Sequence, residues 1–160
     1  AATLRSSDES FLKTVALRQQ AEIALAQFAA QHASSHQVKQ LATRMMSDHQ
    51  KANQEVRLLA SLEGVLLPTQ LSDLQRKKQE KLLQLSGHEF DRAYLQYMQQ
   101  DRDQEVDEFE QQAKILHHPE LRIWAFGTLP VLRYHVVAAN KMASGMQVVF
   151  PQVRSHKSGL

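Results

Sequence analysis

The sequence predicts an all-α protein: an antiparallel four-helix bundle with an extra short helix between helices two and three and an extended C-terminal tail. Three observations point to this class. Four long segments repeat apolar residues in steps of three and four, hardly any stretch alternates apolar and polar residues as a half-buried strand would, and the links between the long segments are short or moderate. The bundle is expected over residues 1–145 and the tail over 146–160. A chain of 160 residues can bury roughly two-thirds of its unfolded surface in one domain, so the fold needs no staples.

In chain order, Ser6-Ser7-Asp8-Glu9 reads as a helix start, with Ser6 capping and Glu9 reaching back as in a capping box. Helix one then runs to about Ala33. Phe11, Val15, Glu22, Leu25 and Ala29 form one apolar row and Leu17, Ala21, Ala24 and Phe28 the next, with Glu22 intruding at the middle. Ser34-Ser35 supplies the cap of helix two, whose row Val38, Leu41, Met45, His49, Ala52, Val56 and Leu59 ends before Gly64. An extended link, Val65 to Pro68, leads to Ser72-Asp73 and a mostly polar segment, Leu74 to Leu85, expected as a surface helix across one end of the bundle.

After Ser86-Gly87, the third long helix carries Phe90, Tyr94, Met98, Phe109, Ala113 and Leu116 inward until His117-His118-Pro119 breaks it. The fourth starts at Pro119-Glu120 with the inward row Leu121, Ala125, Thr128, Leu132, His135, Ala139 and Met142. Gly127 and Pro130 are expected to kink or briefly interrupt it, and Gly145 closes it.

The organising stretch is Met45-x-x-Asp48-His49 in helix two, which returns fifty-three residues on as Met98-x-x-Asp101-Arg102, with Leu41 matched by Tyr94 and Val56 by Phe109. Glu22, His49, Arg102 and His135 each sit near the middle of their own helix, so in an antiparallel bundle they meet at one level. A di-metal centre there would need acids on all four helices, yet the fourth helix has none after Glu120, and the guanidinium of Arg102 cannot ligate and repels a cation. The favoured reading is a buried polar network of Glu22, Asp48, His49, Asp101, Arg102 and His135, with no metal and no cofactor. The alternative metal set is Glu22, Asp48, His49 and His135. The pair His117-His118 is read as serving the helix terminus.

Composition removes other classes. The chain has no Cys, which excludes disulfides, thiolate catalysis and Cys-ligated metals. A net charge of +2 with alternating signs and few aromatic residues gives neither a basic track nor a stacking surface for nucleic acid. No stretch approaches the roughly 20 apolar residues of a membrane helix. No Ser/His/Asp set or Gly-rich phosphate loop is present. The start, Ala1-Ala2-Thr3-Leu4, is compatible with a trimmed signal peptide. The tail, with Val148, Val149 and Phe150 beside Arg154 and Lys157, is expected to bind a partner protein.

Glu22-Ile23, Asp48-His49, Gly64 with Pro68, Leu85-Ser86-Gly87, Phe90-Asp91-Arg92-Ala93-Tyr94, and Leu129-Pro130 with His135 together resemble an exported bacterial ferritin-like family, the DUF4142 type of domain of unknown function, over about Ser10 to Met142. The resemblance implies a periplasmic or outer-envelope helical bundle without an established activity. The family's second Asp-His is Asp101-Arg102 here. The chain also resembles, more distantly, small accessory subunits of membrane-bound quinoprotein alcohol dehydrogenases. The expected function is therefore a non-catalytic periplasmic protein that binds and stabilises other periplasmic or membrane-associated subunits. A ferritin-like metal-binding protein is the alternative, and an envelope stress or adhesion protein stands third.

Overall fold

The structure, a computed structural model, describes residues 4–145. Helices α1 (Ser6–His32), α2 (His36–Leu62), α3 (Asp73–Leu83), α4 (Gly87–Ile115) and α5 (Pro119–Ala143) make an all-helical bundle, with no strand among the described residues. α1 packs on α2 and α4 on α5 as two hairpins, and α2 faces α5 across the bundle.

Each hairpin turn is held by an aspartate from the other hairpin. Asp91 of α4 accepts the backbone N–H groups of Ser34 and Ser35 at 2.8 and 2.7 Å. Asp8 of α1, wholly buried, accepts those of His117 and His118 at 3.1 and 2.9 Å. The same sequence offset that relates Asp8 to Asp91 relates Glu22 to Glu105 and Leu12 to Leu95, so the two hairpins are pseudo-equivalent halves. Free N–H groups at a helix start require an acceptor, and here it comes from across the bundle. Two expected local caps do not form: α1 begins at Ser6 with Arg5 before it, and neither that residue nor Ser35 makes a side-chain cap, while the cross-bundle carboxylates serve the starts of α2 and α5. Ser72 of α3, by contrast, forms a full capping box with Gln75, and His118 caps α5 through Leu121 N–H.

Two apolar clusters fill the bundle. One joins Leu25, Leu41, Met45, Phe90, Tyr94, Met98 and Ala139, and the other joins Phe11, Leu12, Val15, Val56, Phe109, Leu121 and Leu132. On each long helix the polar residue falls between the two clusters: Glu22 between Val15 and Leu25, His49 between Met45 and Val56, Arg102 between Met98 and Phe109, and His135 between Leu132 and Ala139.

Three further expectations change. The second row of α1 is Leu12, Ala16, Gln19 and Ala26, since Ala24 is exposed and Leu17 and Phe28 are only partly covered. α3 does not lie across an end: its buried Gln79 donates to Ala21 O at 2.7 Å, which seats it against α1 and α4 beside the polar layer. α5 runs without a break through Gly127 and Pro130, whose solvent-side position leaves the carbonyl one turn earlier open to water. The tail, residues 146–160, lies outside the described residues.

Candidate functional site

Arg102, with no exposed surface, is the hub of the polar layer. Its Nη2 donates to Glu22 Oε2 at 2.9 Å and meets His49 Nε2 at 2.5 Å, and its Nη1 donates to Glu105 Oε2 at 2.5 Å and more distantly to Asp101 Oδ2 at 3.5 Å. A guanidinium only donates, so His49 must accept at Nε2 and carry its proton on Nδ1. His135 forms a second group, with Nε2 2.7 Å from Asp48 Oδ2, which also takes Arg44 Nε at 3.3 Å. The two imidazole rings lie 5.5 Å apart between the groups. Arg18 of α1 closes the far side, donating to Asp101 Oδ1 at 3.3 Å and to Glu108 Oε2 at 2.7 Å.

Burial sets the protonation of this layer. It pushes the Glu22 carboxyl well above the usual range against the opposing charge of Arg102, and a hydrogen bond to Asp101 pushes the same way. Burial would raise Asp101 too, but that hydrogen bond and the charges of Arg102 and Arg18 bring it down. Glu105 is raised, burial outweighing Arg102 and Arg18. Burial also holds His49 well below its ordinary value, helped by Arg102, and lowers His135 although its hydrogen bond to Asp48 opposes. For Asp48, the hydrogen bond and charge of His135 and the charge of Arg44 together overcome burial and lower it. The charges gathered here are Arg18 and Arg102 against Glu22, Asp101 and Glu105, with Arg18 and Asp101 at the partly exposed edge and Arg18 also pairing with Glu108. The opposite shifts of Glu22 and Asp101 favour Glu22 as the holder of a proton between them.

All six residues expected in the layer thus lie at mid-height, but as two groups rather than one ring. Arg102 gathers Glu22, His49 and Asp101, while Asp48 and His135 bind each other. Glu105 and Arg18 were missed. Glu105 is one turn after Arg102 and so shares its face, a spacing visible in the sequence; Arg18 is partly exposed and gave no such signal. For the alternative metal set, Glu22 and His49 point their acceptors at Arg102, and Asp48 uses its oxygen on His135. Among the described residues no group of three or more His, Asp and Glu is placed to hold a metal ion.

Two surface grooves touch the acidic edges of the layer, and a third, of about 520 Å³ between α1 and α4, touches Arg18. One of about 450 Å³ between α2 and α5 reaches Asp48, with Arg44, Lys51, Glu55 and Trp124 around it. The other, about 470 Å³ between α3 and α4, reaches Asp101 below Lys77, Lys78 and Lys81. Neither is lined by Glu22, His49, Arg102, Glu105 or His135.

The outside of α5 is a second feature, one the sequence reading passed over while following the inward row. Ile123, Phe126, Pro130 and Val137 lie in one row by helical steps and stand in solvent, with Ile123 exposed by 72%, Phe126 by 47% and Val137 by 49%. α5 is therefore apolar inside and out, the pattern of a helix covered on both sides. Its flanks carry Arg122, Arg133 and Lys141, of which Arg133 binds Glu110 at 2.6 Å.

Fold and centre define a helical bundle with a buried polar layer whose members pair with one another, while Arg102 Nε and His135 Nδ1 stay buried without a hydrogen-bond partner. The chain belongs to the family described as Domain of unknown function (DUF4142), which matches residues 1–142. A solved structure, the crystal structure of a DUF305 fragment from Deinococcus radiodurans, is similar with a TM-score of 0.80 and 12% identity, covering 91% of this chain and 100% of that one. At that identity the likeness concerns the fold alone. No curated protein matches the chain.

Proposed function

We propose that this is a non-catalytic helical-bundle protein that binds and stabilises partner proteins, and that it serves as the small accessory subunit of a membrane-bound periplasmic dehydrogenase of the quinoprotein alcohol dehydrogenase type. The finer fold in this reading is the ferritin-like antiparallel four-helix arrangement, with the ion-pair layer standing where a metal-binding relative would hold its ions. The observation that carries the reading is the outer row of α5, where a self-sufficient bundle would place charges. Three things support it. The chemistry-bearing side chains of the core bind one another, neither of the two acidic-edge grooves is lined by the layer's central residues, and no helix among the described residues is long and apolar enough to cross a membrane. Val148, Val149, Phe150, Arg154 and Lys157 are the proposed second contact.

The test is co-purification from the native envelope with and without Phe126→Glu or removal of residues 146–160. The expected result is a stoichiometric complex carrying quinoprotein dehydrogenase activity with the full chain, weakened by each change while helix content and melting temperature hold. A chain that leaves the envelope alone, or a complex indifferent to both changes, overturns the reading.

A further inference from the structure

We propose that the outer face of α5 is also a self-association surface, on which a second copy of this chain lays its own α5 antiparallel, with the twofold axis beside Pro130. This rests on the reading of that face as a docking surface and goes beyond it by naming an occupant.

The face is self-complementary about one point. Residues equally distant from Pro130 oppose each other under an antiparallel twofold, so Ile123 meets the partner's Val137 and Pro130 meets itself, while Phe126 comes over the edge of the partner's Tyr134, whose ring lies partly under Arg44 with its hydroxyl buried. From Ile123 to Val137 this apolar contact runs about 21 Å at 1.5 Å per residue. Gly127 stands at the middle of the row with open space where a Cβ would point, so two helices can approach closely there.

Charge selects the direction. A parallel pairing would stack Arg122, Arg133 and Lys141 on their own copies and align the helix dipoles, and both effects repel. The antiparallel pairing sets Glu120, the one acid of α5, opposite the partner's Asn140 at each end, one residue from the partner's Lys141 and within reach of its long side chain. Like charges are thereby separated along the contact and two equivalent end pairs form. A single-helix contact falls at the small end of specific interfaces, so the dimer is weak and exchanges with monomer. A partner protein using the same face would displace the second copy.

The test measures mass in solution from about 1 µM to about 500 µM, a range spanning weak affinities. The expected mass rises from the 18.2 kDa of one chain towards twice that value, and Phe126→Glu holds it at the monomer while the melt is unchanged. Register is read separately by oxidative cross-linking, which is clean because the chain has no cysteine of its own. Pro130→Cys should cross-link to itself, Ile123→Cys alone should not, and Ile123→Cys with Val137→Cys should. Reversing Glu120→Lys and Lys141→Glu singly should weaken association, and both together should restore it. A monomer at every concentration, association that survives Phe126→Glu, or self-cross-linking of Ile123→Cys overturns the proposal. The partner-binding reading is judged by co-purification and does not depend on this outcome.

Discussion

If the proton of the polar layer resides on Glu22, replacing Glu22 by Gln should be almost silent, because the amide keeps an oxygen for Arg102 Nη2 and supplies a donor towards Asp101. Both groups are fully buried, so the comparison is not blurred by solvent screening. The expected loss is below about 1 kcal/mol, the scale of one neutral hydrogen bond. Arg102→Met is the contrasting change. It leaves Glu22 and Glu105 buried without their cation, and breaking such a pair costs about 3–5 kcal/mol, or roughly 10–15 °C of melting temperature in a domain of this size. That loss should depend on pH with a definite sign. Without the guanidinium the two carboxyls, already raised, rise further, so the folded state prefers them protonated. Stability from a raised carboxyl is present below its unfolded value and is lost as pH rises through the folded one. Arg102→Met should therefore approach the parent near pH 5 and fall away towards pH 8. Urea melts across this range decide the matter. A Glu22→Gln loss as large as that of Arg102→Met would show Glu22 to be ionised, and the placing of the proton on Glu22 would be wrong.

Other outcomes follow from the same geometry. His49 and His135 have depressed folded values, so the stability tied to their neutral forms is present above about pH 6.5 and declines as pH falls below it; His49→Gln should flatten that part of the pH–stability curve measured by denaturant melts. Asp8→Ala and Asp91→Ala each strand two backbone donors at the opposite hairpin's turn and should cost about 2–4 kcal/mol, with amide exchange accelerated at residues 117–118 and 34–35 respectively. Elemental analysis of the purified chain should find no stoichiometric transition metal, and two iron or manganese ions per chain retained against a mild chelator would contradict the pairing of Glu22 and His49 with Arg102.

What could be read from the sequence divides by the range of the interaction. Helical periodicity is local, and it placed the long helices and the inward positions of His49, Arg102 and His135 because a residue's face follows from its neighbours three and four positions away. Antiparallel packing of helices of similar length then brings midpoints together, which is why the level of the polar layer was legible. The partners within it were not. Whether Asp48 turns to Arg102 or to His135 depends on the rotation of α2 against α5, set by the packing of Met45, Val56, Leu132 and Ala139, and no single-helix pattern encodes that rotation. The caps failed for a related reason. Ser35 is a good local cap residue, but the start of α2 is held across the bundle by Asp91, as that of α5 is by Asp8, each more than fifty residues from its donors, and Ser6 became the first residue of α1 instead of its cap. The outer row of α5 shows the converse. Ile123, Phe126 and Val137 were visible in the sequence, but their exposure only gains meaning once the inner face is known to be filled by Leu121, Ala125, Leu132 and His135, leaving no place inside the bundle for a second apolar row.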